Sequence, residues 1–286
     1  MMHNKIVGLF GKYGSIDVES ALSTVRTLLS ECGANVLLGD TTAAEIRGER
    51  ILDTEQYHEL DFAIVVGGDG TLLHAARSLA PFRVPIVGIN LGRLGFLTDI
   101  PANEITQGLK AVINGDYRIE ERAMLQTTVY KEGEGINAYL SLNDTVISKG
   151  DTGRLIEMSI NVGDEFVSRT RSDGLIVSTP TGSTAYALAA GGPIIEPTLP
   201  VFVLVPICPH TLSNRPIILN QQSTIRISDI ELTDNHATLA VDGIIVQILD
   251  GSETVEINQA EHALKLIRID KHSHFEALRL KLGWTS

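Results

Sequence analysis

The chain has 286 residues, of which 43% are hydrophobic and 20% are charged, and its formal net charge is −12. This composition allows a sizeable core in one large or two moderate domains. The negative charge argues against general binding to nucleic acid or to a membrane surface, since both need a basic face. The two cysteines, Cys32 and Cys208, are too few for a disulfide framework or a clustered metal site. They favour a reducing cytoplasm, and we expect no secretion signal or membrane-spanning stretch.

The N-terminal part of the chain alternates predicted strands with predicted helices. Apolar residues from Val18 to Cys32 recur at helical spacing and predict an amphipathic helix. Alternation of this kind indicates βαβ units and a parallel sheet, with ligands at the carboxyl ends of the strands. The predicted strands are Lys5 to Phe10, Asn35 to Gly39, Phe62 to Val66 and Pro85 to Ile89.

The segment Gly67-Gly68-Asp69-Gly70-Thr71 places one carboxylate among three glycines, where the third of these strands ends. Apolar residues at helical spacing follow from Leu72 to Leu79, so the glycines fall in a strand-to-helix turn. Such a turn presents backbone N–H groups and a helix N-terminus to a phosphate. Because Asp69 would repel that phosphate as a simple liner, we expect it to face an attacking hydroxyl or an accompanying metal ion.

An ordinary Asp-Gly turn is the alternative interpretation of this segment. Two other phosphate motifs are excluded. The dinucleotide fingerprint needs a third glycine where Leu73 stands, and the P-loop needs a Gly-Lys-Ser/Thr sequence that does not follow here.

After about Asp116 the pattern changes to short β-rich stretches separated by turn residues, which predicts a mostly antiparallel β domain. Phe275, Leu278 and Leu282 lie at helical spacing and predict a C-terminal helix that returns to the first domain. The predicted domains are therefore 1–119, joined by a helix over 270–286, and 120–269. The predicted strands of the second domain are Gln126 to Lys131, Ala138 to Ser148, Leu155 to Val162, Phe166 to Arg171, Leu175 to Thr179, Val201 to Ile207, Ser223 to Ile227 and Ala237 to Val241.

A second polar segment, Thr179 to Tyr186, reads Thr-Pro-Thr-Gly-Ser-Thr-Ala-Tyr. Thr181 or Ser183 is a candidate N-cap for an alanine-rich helix that follows. As a binding site, the same hydroxyl and N–H groups would hydrogen-bond a polar ligand while Tyr186 stacks on a base. The two interpretations are compatible.

Together these segments resemble the NAD kinase family, end to end and in order. Asn143-Asp144 lies between them, and Gly88-Ile89-Asn90, Leu94 to Thr98 and His210 to Pro216 match further blocks of the family. The glycine-aspartate turn is shared with lipid kinases and phosphofructokinases, whereas its combination with the Thr-Gly-Ser-Thr-Ala-Tyr block is specific. The resemblance implies an α/β N-terminal domain with a parallel, Rossmann-like sheet, of the NAD kinase and diacylglycerol kinase type, and a mostly antiparallel all-β C-terminal domain.

The resemblance also implies transfer of the ATP γ-phosphoryl group to the 2′-hydroxyl of the adenosine ribose of NAD, giving NADP. Asp69 would be the catalytic proton acceptor, and a divalent cation, Mg²⁺, would bridge the ATP phosphates without a direct protein ligand. The implied phosphate-binding residues are Gly67, Gly68, Gly70 and Thr71. The implied NAD-binding residues are Asp69, Gly70, His74, Asn143, Asp144, Arg154, Arg171, Asp173, Thr181, Thr184, Ala185, Tyr186, Ala187, Leu188 and Ala189.

The expected partners are NAD and ATP, in a homodimer or homotetramer in which Asp173 reaches a neighbouring subunit's site. Ile244 departs from the family pattern, since some members carry glutamine there, which leaves a NAD contact at this position in doubt. Two other functions stay open at this point. One is a lipid kinase of the diacylglycerol type, and the other is a sensor that binds NAD without chemistry.

Overall fold

A computed structural model describes residues 4–11, 16–39, 54–92, 95–150, 154–232, 236–269 and 273–284 of the chain. The chain divides into two compact units, of which the first is Met1–Glu121 with Leu264–Ser286 and the second is Arg122–Ala263. The first boundary lies within two residues of the predicted one at 119/120. The return to the first unit begins at Leu264 rather than at 270, because a strand precedes the C-terminal helix.

The N-terminal part of the first unit alternates strands and helices, as predicted. Its elements are β1 (Ile6–Gly11), α1 (Ile16–Glu31), β2 (Asn35–Leu38), β3 (Phe62–Val66), α2 (Asp69–Leu79), β4 (Ile86–Asn90), β5 (Ile100–Pro101), α3 (Ile105–Asn114) and β6 (Arg118–Arg122).

The second unit is almost entirely made of strands. Its elements are β7 (Leu125–Lys131), β8 (Glu134–Ser141), β9 (Asp144–Lys149), β10 (Ile156–Val162), β11 (Glu165–Ser172), β12 (Gly174–Ser178), α4 (Tyr186–Ala189), β13 (Val201–Ile207), β14 (Ile217–Asn220), β15 (Ile225–Glu231), β16 (Ala237–Val241), β17 (Ile244–Leu249) and β18 (Glu253–Gln259). The chain then returns to the first unit with β19 (Leu264–Arg268) and α5 (His274–Leu282).

The first unit is built on a seven-stranded sheet in the order β2-β1-β3-β4-β19-β6, with β5 beside β4. The pairs of β1 with β2 and β3, and of β4 with β3, β5 and β19, are parallel, which confirms the predicted parallel sheet. Val25 of α1 and Leu109 of α3 pack with Leu9 and Ile64 in one core. This packing holds the carboxyl end of β3, where the glycine turn begins, in a rigid setting.

The second unit is a sandwich of two antiparallel six-stranded sheets. Their orders are β11-β10-β15-β18-β7-β8 and β14-β13-β12-β9-β16-β17. Side chains from both sheets, such as Met158, Val177, Phe202 and Val255, share one buried core, as expected for two sheets packed face to face. The single strand predicted over Ala138 to Ser148 is wrong, because the chain turns before Asp144 and forms both β8 and β9.

Helix α5 has a clear start and stop. The Ser273 hydroxyl accepts a hydrogen bond from the Glu276 N–H at 3.1 Å, which is an N-cap, and Gly283 ends the helix with φ of 65°. Leu278 is buried while Phe275 is exposed, so only part of the predicted apolar spacing packs inward. Helix α5 lies in the first unit.

Candidate active site

The glycine turn joins β3 to α2, as the sequence predicts. A β-carbon at Gly67 would lie 2.6 Å from the Thr71 hydroxyl oxygen, and Gly67 has φ of 154°, so no larger residue fits there without strain. At Gly68 and Gly70 a β-carbon would meet open space. The backbone at these two positions is therefore accessible to a ligand at the N-terminal end of α2.

Two of the four predicted phosphate-binding residues already use their N–H groups inside the protein. The Gly67 N–H donates to the Ile89 carbonyl at 2.9 Å, and the Thr71 N–H donates to the Gly68 carbonyl at 3.1 Å. The N–H groups of Gly67 and Thr71 are therefore already paired and are not available to a ligand at this turn.

The Asp69 carboxylate is held by backbone from the segment after β4. Its Oδ2 accepts from the Phe96 N–H at 3.0 Å, and its Oδ1 accepts from the Leu97 N–H at 3.2 Å. A β-carbon at Gly95 would collide with Oδ1, which explains the glycine in the Leu94 to Thr98 block. The sequence identified this block only through the family resemblance. The structure shows that its backbone N–H groups fix the orientation of the Asp69 carboxylate.

Arg268 of β19 lies behind the same segment. Its guanidinium donates to the carbonyl oxygens of Phe96 and Leu97 at 3.1 and 3.2 Å, and to Asp99 at 3.3 Å. Only 10% of the Arg268 side chain is exposed, so this charge sits in a largely desolvated environment where such bonds are strong. The sequence contained no signal for this role, because 171 and 172 positions separate Arg268 from Leu97 and Phe96.

His74 lies one turn into α2 and is exposed. Its Nδ1 is 3.5 Å from the Arg77 guanidinium. This geometry places two polar side chains on the solvent side of the helix and does not by itself assign His74 a ligand.

In the second unit, Asp242 organises the start of β9. Its carboxylate accepts from the N–H groups of Leu142, Asn143 and Asp144 at 3.1, 2.8 and 3.3 Å. Asp242 has φ of 47°, the left-handed region, which turns its side chain back toward this segment. Ile244, the position that departs from the family pattern, begins β17 and is half exposed.

The Asp144 carboxyl is buried beside Asp242. Burial, and next the negative charge of Asp242, raise the pKa of Asp144 from 3.8 to about 7. A carboxyl poised near neutrality next to a backbone-bound carboxylate is a feature of ligand-binding and catalytic sites.

The Thr179 to Tyr186 segment is tied to the same turn. The Thr179 hydroxyl donates to the Leu142 carbonyl at 2.6 Å and the Ser178 hydroxyl donates to the Asn143 carbonyl at 3.1 Å. A β-carbon at Gly182 would collide with the Asn143 carbonyl oxygen, so the glycine is required for this close approach. The Asn143-Asp144 pair and the Thr179 to Tyr186 segment therefore form one cluster in the second unit.

The capping role predicted for Thr181 or Ser183 is wrong. Helix α4 has only four residues, and the preceding Ala185 makes no side-chain cap. The Ser183 hydroxyl bonds to the Pro180 carbonyl at 2.7 Å and to the Ile195 N–H at 3.0 Å, while Thr181 accepts from Arg122 at 3.2 Å. The Ser183 hydroxyl thus pairs with buried backbone groups of the loop, and the Thr181 hydroxyl pairs with a buried guanidinium. The local sequence does not indicate these partners, because they are set by the tertiary fold.

The remaining predicted residues differ in exposure. Ala187 is fully buried against the sheet, Thr184, Ala185 and Leu188 are half-buried, and Tyr186 and Ala189 are exposed. Tyr186 is 46% exposed, so a large part of its side chain is accessible to a ligand.

Asp173 lies between β11 and β12 and pairs with Lys149 of its own chain at 2.6 Å. Arg171 and Arg154 are exposed. In the part of the chain that the structure describes, no group of three or more His, Cys, Asp or Glu side chains is placed to hold a metal ion. None of the helices among these residues is long and apolar enough to cross a membrane.

Comparison with known proteins gives matches along nearly the whole chain. Residues 17–117 match the family model described as ATP-NAD kinase N-terminal domain, and residues 142–269 match the ATP-NAD kinase C-terminal domain. An NAD kinase of Nitrosomonas europaea is 41% identical over 98% of this chain and 95% of its own length. One of Teredinibacter turnerae is 43% identical over 98% of this chain and 97% of its own length.

The chain belongs to the NAD kinase family. A solved yeast NADH kinase complexed with NADH resembles it with a TM-score of 0.90 and 26% identity, covering 99% of this chain and 89% of that one. An NAD kinase from Archaeoglobus fulgidus in complex with ATP has a TM-score of 0.74 and 26% identity, covering 97% of both chains. The predicted fold class is thereby confirmed. The predicted NAD kinase function is confirmed as well, which excludes the two alternatives, a lipid kinase and a non-catalytic sensor.

The raised pKa of Asp144 predicts a pH-dependent stability that is specific to this side chain. Its contribution to the free energy of unfolding is most favourable below pH 3.8, the ordinary pKa, and is lost as pH rises to about 7, because the unfolded chain ionises first. Asp144→Asn should therefore be more stable than the parent at pH 8, by about 4 kcal/mol, and gain little at pH 4. Urea denaturation between pH 4 and 8 measures this difference.

Asp164→Asn, which alters an exposed carboxylate in the turn between β10 and β11, is the matched control and should show no such pH dependence. A constant difference between Asp144→Asn and the parent across this range would contradict the assignment of the shift to Asp144.

Proposed function

We propose that this member of the NAD kinase family transfers the ATP γ-phosphoryl group to the 2′-hydroxyl of the adenosine ribose of NAD, with Asp69 as the proton acceptor. The observation that carries the residue assignment is the geometry of Asp69. The carboxylate stands at the first residue of α2, beside two open glycine positions, and two backbone N–H groups fix its orientation.

In the reaction, the 2′-hydroxyl oxygen forms a bond to the γ-phosphorus while the bond from that phosphorus to the bridging oxygen breaks. The hydroxyl proton passes to the Asp69 carboxylate, and ADP leaves with the electron pair of the broken bond. Such a transfer depends mainly on positioning and on neutralisation of phosphate charge. A carboxylate that is already fixed by backbone donors needs little reorganisation when it accepts the proton.

We assign the phosphate contacts to the N-terminal end of α2, through Gly68, Gly70 and Thr71, with Gly67 shaping the turn. Mg²⁺ would accompany ATP, where it supplies charge neutralisation between phosphate groups. The side chains at this turn fit a metal ion that is held largely by phosphate oxygens. Asp69 is the carboxylate of the turn, and its oxygens already accept three hydrogen bonds, which leaves little room for a metal ion.

We assign the nucleoside contacts to the cluster of the second unit. Asn143 and Asp144 offer an amide and a carboxyl side by side, which suits ribose hydroxyls or an adenine edge. Thr181 and Thr184 to Ala189 would surround the adenosine, with Tyr186 stacking on the base. The mutual bonding of residues 142–144 and 178–182 supports this assignment, because it preorganises the cluster without a ligand. His74, Arg154 and Arg171 stay proposed NAD contacts on the family resemblance alone.

We further propose a homodimer or homotetramer in the cytoplasm. The two free, exposed cysteines suit a reducing compartment. Asp173 would serve the partner subunit's site, although in this chain its carboxylate also pairs with Lys149.

The first prediction from the proposed function concerns Asp69 as the catalytic base. Asp69→Asn should remove turnover by about 10²- to 10⁴-fold, because an amide is nearly isosteric but cannot accept the hydroxyl proton. Steady-state turnover with ATP, Mg²⁺ and NAD, followed by an NADP-specific readout, measures it, with circular dichroism as the check on folding. Asp116→Asn, an exposed carboxylate of the same unit, is the control. If Asp69→Asn kept more than about half of the parent rate, Asp69 would not be the proton acceptor.

The second prediction concerns Tyr186. Tyr186→Ala should raise the KM for NAD more than it lowers kcat, since stacking on a base is made in the ground state and the transition state alike. The control is Tyr117→Ala, which removes another exposed tyrosine. Equal losses in kcat and kcat/KM would place Tyr186 in transition-state positioning, and an unchanged KM would argue against stacking.

The third prediction tests Asp173. Mixing Asp69→Asn with Asp173→Ala subunits should restore part of the activity, because a hybrid dimer would hold one intact site. Lys149→Met is the control, since it breaks the same ion pair but keeps the carboxylate, and it should retain activity by itself. No recovery in hybrids with verified subunit exchange would assign Asp173 to its own chain's site or to none.

A further inference from the structure

The C-terminal helix α5 brings a lysine directly onto the proposed base. Lys281 Nζ lies 3.3 Å from Asp69 Oδ2, although 212 positions separate the two residues. The same ammonium group lies 4.4 Å from the centroid of the Phe96 ring, so it is held between an anion and an aromatic face. An exposed ion pair stabilises a fold little, but here both side chains are mostly shielded, at 31% and 28% exposure.

The contacts of Asp69 divide unequally between its two oxygens. Oδ2 accepts from the Phe96 N–H and from Lys281, whereas Oδ1 accepts only from the Leu97 N–H among the bonds described here. Since each carboxylate oxygen offers about two acceptor positions, Oδ2 is filled and Oδ1 keeps one position for a further donor. The 2′-hydroxyl is the donor that the reaction would place there.

We propose that Lys281 is a positioning residue, which fills Oδ2 of Asp69 and so directs Oδ1 to accept the proton of the substrate hydroxyl. The inference rests on the proposed function of Asp69. Lys281 acts through the carboxylate, because its ammonium group contacts the Asp69 carboxylate and the Phe96 ring. The helix that carries Lys281 is anchored in the first unit by its buried residues Ala277 and Leu278.

The other possible role of this ammonium is to neutralise phosphate charge independently of Asp69. The two roles predict different results when both residues are changed. A residue that acts only through Asp69 becomes irrelevant once Asp69 is replaced, whereas an independent phosphate contact lowers the rate further by the same factor.

The experiment compares kcat and the KM for NAD in Lys281→Met, Lys281→Arg and Arg279→Met. We expect Lys281→Met to lower kcat about 5- to 20-fold, with less than about a twofold change in KM, because one charge-assisted bond to the base is lost. Lys281→Arg should recover most of kcat by restoring a cationic donor. Arg279→Met removes an exposed charge from the same turn of α5 and should match the parent.

Single-turnover rates of Asp69→Asn and of the double variant Asp69→Asn with Lys281→Met complete the cycle. Equal rates support the proposal, and a further loss equal to that of Lys281→Met alone overturns it in favour of a direct phosphate contact. A parent-like kcat in Lys281→Met also overturns it, as does a loss that Lys281→Arg does not recover while the melting temperature is unchanged. An active Asp69→Asn would instead refute the proposed base, which is a separate outcome.

Discussion

The arrangement of the first unit depends on one set of hydrogen bonds, those from the Phe96 and Leu97 N–H groups to the Asp69 carboxylate. A carboxylate at a phosphate-handling turn is repelled by its ligand and needs fixed donors to keep its position. Gly95 makes room for it, and Arg268 holds the carbonyl side of the same peptide segment. This contact depends on the parallel sheet, because the segment with Phe96 and Leu97 follows β4, and Arg268 ends the neighbouring strand β19.

In the second unit, too, an aspartate carboxylate is bound by backbone N–H groups. Asp242 binds three consecutive N–H groups and thereby fixes the turn that carries Asn143 and Asp144. The cost is a second carboxyl buried beside the first, and the raised pKa of Asp144 is the consequence. In both units a carboxylate bound to backbone organises the polar residues to which we assign the chemistry.

The overall charge of −12 does not prevent an anionic ligand from binding, because the positive groups are placed locally. The amino end of α2 contributes its dipole, and the backbone at Gly68 and Gly70 is accessible there. Short-range positive groups of this kind act strongly in a partly shielded site, while the distant negative charges are screened by salt.

The sequence by itself determined the fold class, the parallel sheet of the first unit and the two polar segments around Asp69 and Thr179. Each of these depends on neighbouring residues, through apolar periodicity or the backbone freedom of glycine, and such signals are local in the chain. The sequence misjudged the hydroxyls of Thr181 and Ser183, and it did not indicate Arg122, Arg268, Asp242 or Lys281 as partners. Only the tertiary structure decided these roles, because it is the pairing of β19 with β4 and the return of α5 that bring charges from the end of the chain to Asp69. An exposed lysine and a paired one look alike in sequence, since what distinguishes them is the group that the fold places within hydrogen-bond distance.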